Sequence, residues 1–393
     1  MDAKKIEHLK NYITPRNVFI FGFLILIGLT LSEVVRGRER NFMIFVEATK
    51  MFWQSIPPYG DNWWEMVNSK GLDYFLYPPL FNIFFTPFAY LPHIVGAFAW
   101  NIFNYVLFYF AIFALPSTLM SLKQKCYSFL FVLPVLCVTQ LSFQYNPTIA
   151  AIFLLSYSLL NKNSKFSAVG AIALILFSGF TKIYGIFQLA LLICYPKFWR
   201  NLFFVFIVAT VYILLPILQF SSWQELVSCY EQWIGALNSH TDSRIWTSIY
   251  YLKPFNMASY CTIIQLTSLC ISALLLIGNY KRFSSWQFRT QATAIIMGWI
   301  ILFGSSSEGH TYIIALIGYM LWYWSRIDEI KKIDNVLLWS NFILLGLIPI
   351  DVICPRFVSD FFNQYLTLNI YVFTFTWLRM YYMTFLKPLA LKL

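Results

Sequence analysis

The sequence predicts an all-α, polytopic integral membrane protein with about twelve membrane-spanning helices. Hydrophobic residues make up 59% of the 393 residues and charged residues 11%, whereas soluble domains carry about 25% charged residues. Several apolar runs reach the ~20 residues that a helix needs to cross a bilayer. Lys and Arg occur in short clusters between these runs, as in cytoplasmic loops. The net charge of +11 therefore indicates a lipid bilayer as partner and argues against nucleic acid.

The first apolar run, residues 18–35, follows a basic segment that contains Lys4, Lys5, Lys10 and Arg16. Basic residues favour the cytoplasmic side, so we expect the N-terminus in the cytoplasm. A cleaved signal peptide is the alternative interpretation, but the run is long and no small-residue cleavage site follows it. An uncleaved first span is therefore predicted.

The later apolar runs alternate across the membrane in one consistent phase. Each turn that this phase places inside carries Lys or Arg, which predicts that both termini lie in the cytoplasm. Residues 36–76 and 221–255 form two long extracytoplasmic loops of a single membrane domain, 1–393. Residues 77–92 are apolar but short and rich in proline, which predicts a short or re-entrant element besides the spans. The remaining runs are residues 94–116, 127–143, 148–160, 166–180, 183–195, 202–220, 257–278, 290–304, 312–324, 336–350 and 365–385.

An amphipathic helix is predicted in the first extracytoplasmic loop, and we expect it to lie on the membrane. Glu47 lies off its most apolar side. The residues that keep helical spacing along the apolar side are Phe42, Phe45, Val46, Thr49 and Phe52.

Aromatic residues are concentrated in the two extracytoplasmic loops, with Tyr59, Trp63 and Tyr77 in or next to the first and Trp233 in the second. Two interpretations remain open. The rings can form the aromatic belt of a membrane interface, or they can form a platform on which sugar rings stack.

The segment "SSSEGH" interrupts two apolar runs with Glu308 and His310. Polar groups at membrane depth are costly, so a substrate-facing role is one interpretation and hydrogen bonding between helices is the other. Two residues apart, these side chains converge only if the segment is not a regular helix. If they face a substrate, Glu308 is a candidate general base, and His310 is a candidate to orient a phosphate or move a proton.

Lys182 lies between two short apolar runs, in the segment "TKIYG". An ammonium at a helix break, beside freed backbone donors, is typical of a phosphate site, and a lysine that reaches toward the membrane interface is the alternative. Gln144 and Asn146 occupy the turn "QYNP" on the same predicted extracytoplasmic side as Lys182 and Glu308. Polar groups thus gather at one membrane face.

The order of these elements resembles glycosyltransferase family 87, whose members have the GT-C membrane fold. The resemblance rests on Tyr-Pro-Pro-Leu-Phe at residues 77–81, Trp-Asn-x-x-Asn at 100–104, the Gln/Asn turn, Thr-Lys-Ile-Tyr-Gly at 181–185 and Asn-Phe-x-Ile-Phe at 41–45. It implies inverting transfer of a hexose, typically mannose, from a polyprenyl-phosphate sugar to a glycan or glycolipid acceptor outside the cytoplasm. It also implies that neither a metal nor another cofactor is needed.

The resemblance assigns roles to several positions. His310 and Lys182 match a family histidine and a family lysine near the membrane surface, and Asn41, Tyr77, Gln144, Asn146 and Trp233 are candidate substrate-binding residues. The family's catalytic Asp falls at Asn41, which cannot act as a base. Glu308, or else Glu47 or Glu39, is then the candidate carboxylate. The alternatives are an inactive relative of these enzymes and a transporter or flippase of a lipid-linked or free solute.

Overall fold

A computed structural model describes residues 12–162, 164–239, 247–255, 257–305 and 307–390, and it contains only helices and connecting segments in these ranges. The all-α prediction is therefore confirmed for the described chain. The α-helices are α1 Pro15–Val35, α2 Arg40–Trp53, α3 Gly60–Lys70, α4 Pro79–Ala89, α5 His93–Phe113, α6 Leu122–Leu141, α7 Asn146–Leu160, α8 Lys165–Thr181, α9 Phe198–Leu214, α10 Trp223–Ser239, α11 Cys261–Gly278, α12 Trp286–Leu302, α13 Tyr312–Ser325, α14 Lys332–Asn341, α15 Arg356–Asp360, α16 Leu368–Tyr381 and α17 Lys387–Ala390.

Helices of other pitch extend or connect these elements. A 3₁₀ helix, Ile183–Cys194, follows α8, and another, Leu215–Gln219, continues α9. Short 3₁₀ turns lie at Ile249–Tyr251, Ala258–Tyr260, Tyr280–Arg282, Gly309–Thr311 and Ile327–Glu329, and π-helical turns lie at Phe342–Leu347, Phe361–Tyr365 and Tyr382–Leu386.

Five helices within the described chain are long and apolar enough to cross a membrane: Pro15–Val35, His93–Phe113, Leu122–Leu141, Phe198–Gln219 and Ala258–Gly278. Other predicted spans form shorter helices, such as Asn146–Leu160 and Lys165–Thr181. At 1.5 Å per residue, 15 to 17 α-helical residues cover about 25 Å, less than the ~30 Å of a bilayer core. Membrane-protein character is supported, and the count of about twelve crossings stays a prediction. The element predicted at 77–92 forms the 11-residue helix α4, with Pro87 inside it.

Contacts between residues divide the chain into two units. Unit one falls within Met1–Leu26, Phe108–Val138 and Ile245–Leu393, and unit two falls within Ile27–Leu107 and Thr139–Arg244. The prediction of one membrane domain over 1–393 is not tested by this division.

Unit two is built on an aromatic core between α2 and α4. The predicted amphipathic helix is confirmed, and its apolar side is buried, including Phe42, Phe45 and Phe52. The Phe45 ring meets Phe81 edge-on at 4.9 Å and Phe85 at 5.4 Å between centroids, geometries that aromatic pairs prefer. This face of α2 therefore packs on protein, and the expectation that it rests on lipid was wrong.

Unit one has its core between α12 and α13, where every residue from Tyr312 to Tyr323 is buried. Glycine permits this close packing, because a Cβ at Gly318 would approach the Met297 Cβ to 2.9 Å. At the start of α14, Asp334 accepts hydrogen bonds from the Arg379 guanidinium at 2.8 and 3.2 Å. This pair joins α14 to α16.

Candidate functional site

A helical hairpin in unit two carries Lys182 at its tip. Helix α8 ends at Thr181, Lys182 is extended (φ −156°, ψ 113°), and the 3₁₀ helix begins at Ile183. The two arms approach closely because glycine lies between them: a Cβ at Gly185 would overlap the Ser178 side chain. The break that the sequence predicted at Lys182 is confirmed. A 3₁₀ helix of 12 residues is unusual, since most such runs have about three or four.

Lys182 forms a cluster with Tyr77, Gln144 and Asn146, which we call the Lys182 cluster. Its Nζ donates to the Asn146 Oδ1 at 2.7 Å and lies 3.5 Å from the Tyr77 hydroxyl. That hydroxyl in turn donates to the Gln144 Oε1 at 3.4 Å. Four side chains that the sequence singled out separately therefore lie together.

Two aromatic rings also lie close to the ammonium group. The Lys182 Nζ lies 5.4 Å from the Tyr77 ring centroid and 5.2 Å from that of Tyr184. Both distances are within the ~6 Å at which a ring face attracts a cation. These partners are neutral, so they orient the ammonium group without cancelling its charge. An anion such as a phosphate is the ligand that this arrangement fits.

The segment that presents Tyr77 is held by three aromatic donors. The Tyr59 hydroxyl donates to the Tyr77 carbonyl at 2.8 Å, and the indoles of Trp63 and Trp233 donate to the carbonyls of Asp73 and Leu76, each at 3.1 Å. Burial raises the pKa of Tyr59 well above its ordinary value, so this phenol stays a neutral donor. Tyr59 and Trp63 are fully buried and belong neither to a membrane belt nor to a sugar platform. Trp233 is half-buried, and its sugar-binding role stays a prediction.

The 140–146 turn, between α6 and α7, presents Gln144 and Asn146. Asn41 lies beside it, and its amide Nδ2 donates to the Ser142 carbonyl at 2.8 Å. The Trp100 indole donates to the Phe143 carbonyl at 2.9 Å. Asn41 is thus placed against the backbone that presents the Lys182 cluster.

Glu47, the second candidate carboxylate, forms an ion pair with Lys70 in unit two. Its Oε2 lies 2.8 Å from the Lys70 Nζ, and the lysine side chain is 45% exposed. The pair joins α2 to the end of α3. The geometry indicates a structural ion pair at the surface. Within the described residues, Glu47 makes no hydrogen bond or ion pair with a member of the Lys182 cluster.

Glu308 and His310 lie in unit one and meet each other. The Glu308 Oε2 lies 2.8 Å from the His310 Nε2, with the carboxylate 45% exposed and the imidazole 13% exposed. They converge because Glu308 is extended (φ −125°, ψ 166°) and a single 3₁₀ turn follows it. The condition that Sequence analysis set for this contact, that the segment is not a regular helix, is met. Such a pair can accept a proton from a hydroxyl group.

Hydrogen bonds to neighbouring segments hold the backbone on both sides of Glu308 and His310. Before them in the chain, the Phe303 carbonyl accepts from the Tyr250 hydroxyl at 2.9 Å and from the Gln265 amide at 2.7 Å. After them, the Tyr312 hydroxyl donates to the Thr247 carbonyl at 2.9 Å. The exposed carboxylate therefore sits on an anchored backbone.

Sequence reasoning missed one member of the site and the role of another. Tyr184 was available in "TKIYG", two residues after the lysine, but only the break after Lys182 brings its ring to the ammonium group. Tyr59 was singled out as a loop aromatic, but its role as a hydrogen-bond donor was missed, because its partner is a backbone carbonyl 18 residues away. Within the described ranges, no three His, Cys, Asp or Glu side chains group closely enough to hold a metal ion.

The fold and the site define a helical membrane protein. One unit holds a lysine ammonium group between neutral side chains, and the other holds a partly exposed carboxylate next to an imidazole. The sequence profile of glycosyltransferase family 87 matches residues 75–347, well over half of the chain. The protein belongs to this family, as the sequence resemblance predicted, and family membership makes it a glycosyltransferase by class. No curated protein sequence matches the chain significantly. The matched range includes both the Lys182 cluster and the Glu308–His310 pair, whereas Asn41 and Glu47 precede it.

Proposed function

We propose that the protein transfers a hexose, mannose-like in kind, from a polyprenyl-phosphate donor to a glycan or glycolipid acceptor, with inversion at the anomeric carbon. The reaction takes place at the extracytoplasmic face of a bacterial cytoplasmic membrane, with both termini in the cytoplasm. The observation that carries the proposal is the Lys182 ammonium group held by the neutral side chains of Asn146 and Tyr77. Membership of the glycosyltransferase family supports transfer over transport.

The chemistry requires a cation for the departing phosphate. An acceptor hydroxyl oxygen attacks the anomeric carbon, the bond from that carbon to the phosphate oxygen breaks, and polyprenyl phosphate leaves with the electron pair. Negative charge builds on the phosphate in the transition state, and a fixed ammonium group stabilises it. Lys182 has this role, and the Tyr77 hydroxyl orients a phosphate oxygen.

The reaction also requires a base for the acceptor proton. Glu308 accepts the hydroxyl proton and becomes a neutral carboxyl group, and His310, whose Nε2 lies 2.8 Å from the Glu308 Oε2, orients it. The second role that we propose for His310 is to orient the donor phosphate.

The test is the release of polyprenyl phosphate from a synthetic polyprenyl-phosphate mannose by purified protein in liposomes. Lys182→Met should lower kcat/KM at least 100-fold, because a hydrogen-bonded charge contributes about 1.5–3 kcal/mol and more against a charged phosphate. Lys182→Arg should retain part of the activity. Lys50→Met, at an exposed lysine of α2, is the matched control and should behave as wild type. Wild-type kinetics in Lys182→Met would overturn the role of Lys182.

The assignment of the base is tested separately. Glu308→Gln and His310→Ala should each lower kcat about 100-fold or more with a smaller change in KM, because general-base catalysis contributes about 10²–10⁴. Full activity in both variants would remove the pair from the mechanism.

A further inference from the structure

We propose that Asn41 is a positioning residue whose amide fixes the 140–146 turn, so that Gln144 and Asn146 hold Tyr77 and Lys182 in place. The activity part of this inference rests on the proposed function, whereas its structural part does not. The side chain at position 41 then acts as a hydrogen-bond donor and takes no part in proton abstraction.

The partner of Asn41 decides which end of its amide faces the turn. The Asn41 Nδ2 lies 2.8 Å from the Ser142 carbonyl oxygen. A backbone carbonyl only accepts hydrogen bonds, so the NH₂ group must point at it. A carboxylate in this place would turn lone pairs toward lone pairs and repel the turn. The site therefore selects a donor.

Hydrogen bonds from Asn41, Trp100 and Asn101, which we call the clamp, hold this turn. The turn needs the clamp because its backbone is strained. Phe143 is buried and has φ +49°, in the left-handed region that favours glycine. Such conformations persist where the surroundings hold them. Three side chains from outside the turn donate to consecutive parts of it: Asn101 to the Gln140 carbonyl at 3.1 Å, Asn41 to Ser142 and Trp100 to Phe143.

The clamp acts on the site through the next residues of the chain. Gln144 accepts from the Tyr77 hydroxyl, and Asn146 accepts from the Lys182 ammonium group. A shift of the turn therefore moves both acceptors together. Losing the hydrogen bond that Asn41 donates should weaken binding of the sugar donor, which is seen in KM. It should weaken the chemical step, which is seen in kcat, to a smaller extent.

The decisive variant is Asn41→Asp, measured from pH 4 to pH 7 as a ratio to wild type at each pH, a range that begins near the ordinary pKa of an aspartate, about 3.9. A protonated carboxyl group still donates to Ser142, whereas the carboxylate cannot. Positioning therefore predicts that the ratio of kcat/KM falls as pH rises, at least 10-fold across the range. A base at position 41 predicts the opposite slope. Glu39 and His93, whose side chains lie 3.3 Å apart next to position 41, are present in both proteins and so enter both terms of the ratio.

Thermal unfolding of the same variant tests the clamp without any substrate. The melting temperature of Asn41→Asp relative to wild type should fall as pH rises. Asn62→Asp is the matched control, because the Asn62 amide also donates to a carbonyl, that of Pro57 at 3.3 Å, but is exposed, so that water can replace the lost donor. Its melting temperature relative to wild type should not change with pH. If wild type does not use a polyprenyl-phosphate sugar but the melting slope appears, the proposed function fails and the clamp stands.

Asn41→Ala provides a second measurement should the Asp variant not fold at neutral pH. It should raise KM for the donor 5- to 20-fold and change kcat less than threefold. A rising or flat Asn41→Asp ratio, or wild-type KM in Asn41→Ala, overturns the inference.

Discussion

The Lys182 Nζ and the Asn146 Oδ1 lie 2.7 Å apart, and the Asn146 side chain is fully buried at the start of α7. An amide oxygen orients an ammonium group but leaves its positive charge in force. The other half of the same amide, Nδ2, has no hydrogen-bond partner among the residues that the structure describes. A phosphate oxygen bound at Lys182 would supply an acceptor for that donor.

Asn146→Asp should therefore impair donor binding although it preserves shape. A carboxylate beside Lys182 forms an ion pair and offsets the charge that would bind phosphate, so we expect KM for the donor to rise at least 10-fold. Inhibition by inorganic phosphate or a short prenyl phosphate should weaken in parallel. Asn161→Asp, at the other end of α7, is the control and should leave KM unchanged. An unchanged KM in Asn146→Asp would separate this residue from the phosphate site.

Glu47→Gln should retain activity within about threefold of wild type. Its carboxylate is paired with a partly exposed lysine, and such pairs contribute about 0–1 kcal/mol to stability. The charge-swapped double variant Glu47→Lys/Lys70→Glu should recover any loss of melting temperature seen in the single variants. A kcat loss of 100-fold in Glu47→Gln with normal folding would restore this residue as a catalytic candidate.

Lys182, Gln144 and Asn146 were accessible from the sequence because they interrupt apolar runs, and such interruptions are costly unless they meet one another or a ligand. Tyr77 was reached through the aromatic residues of the first extracytoplasmic loop. Glu308 and His310 were found in the same way, and a stated geometric condition for their contact is met. These predictions needed only residue type, position relative to apolar runs and a common membrane side.

Other features depend on tertiary packing that hydropathy does not encode. The lipid-facing role of α2 failed because Phe45 finds aromatic partners in α4, outside its own helix. The donor role of Asn41 depends on a carbonyl 101 residues further along the chain. The number of crossings stays open because helices such as Asn146–Leu160 are shorter than a bilayer core.

Gly185→Ala should disrupt the hairpin that carries Lys182. The added methyl group would overlap the Ser178 side chain and crowd the Gly179 backbone, and overpacking of this kind costs about 1–3 kcal/mol. We expect a lower melting temperature together with a higher KM for the donor. Gly170→Ala is the matched control, because its Cβ would meet only the Leu159 Cδ1 at an ordinary 3.7 Å. Ser178→Gly should partly rescue Gly185→Ala, and equal behaviour of the two Gly→Ala variants would contradict the packing argument.

Asp334 and Arg379 should make the stability of unit one depend on pH. Burial alone would raise the pKa of Asp334, but hydrogen bonds from the Arg379 guanidinium and the Lys331 N–H outweigh it and hold that pKa below its ordinary value. The stability that this carboxylate contributes is therefore complete above the pKa of an unfolded Asp, about 3.9, and is lost as pH falls through the folded value.

At pH 7, Asp334→Asn should lower the free energy of unfolding by about 2–3 kcal/mol, because it leaves Arg379 partly buried without its counter-charge. The gap in melting temperature between variant and wild type should narrow below about pH 4. Asp328→Asn, at an exposed aspartate six residues earlier, should show no gap at either pH. A gap that stays constant from pH 7 to pH 3 would mean that shape, and not the charge of Asp334, stabilises the contact between α14 and α16.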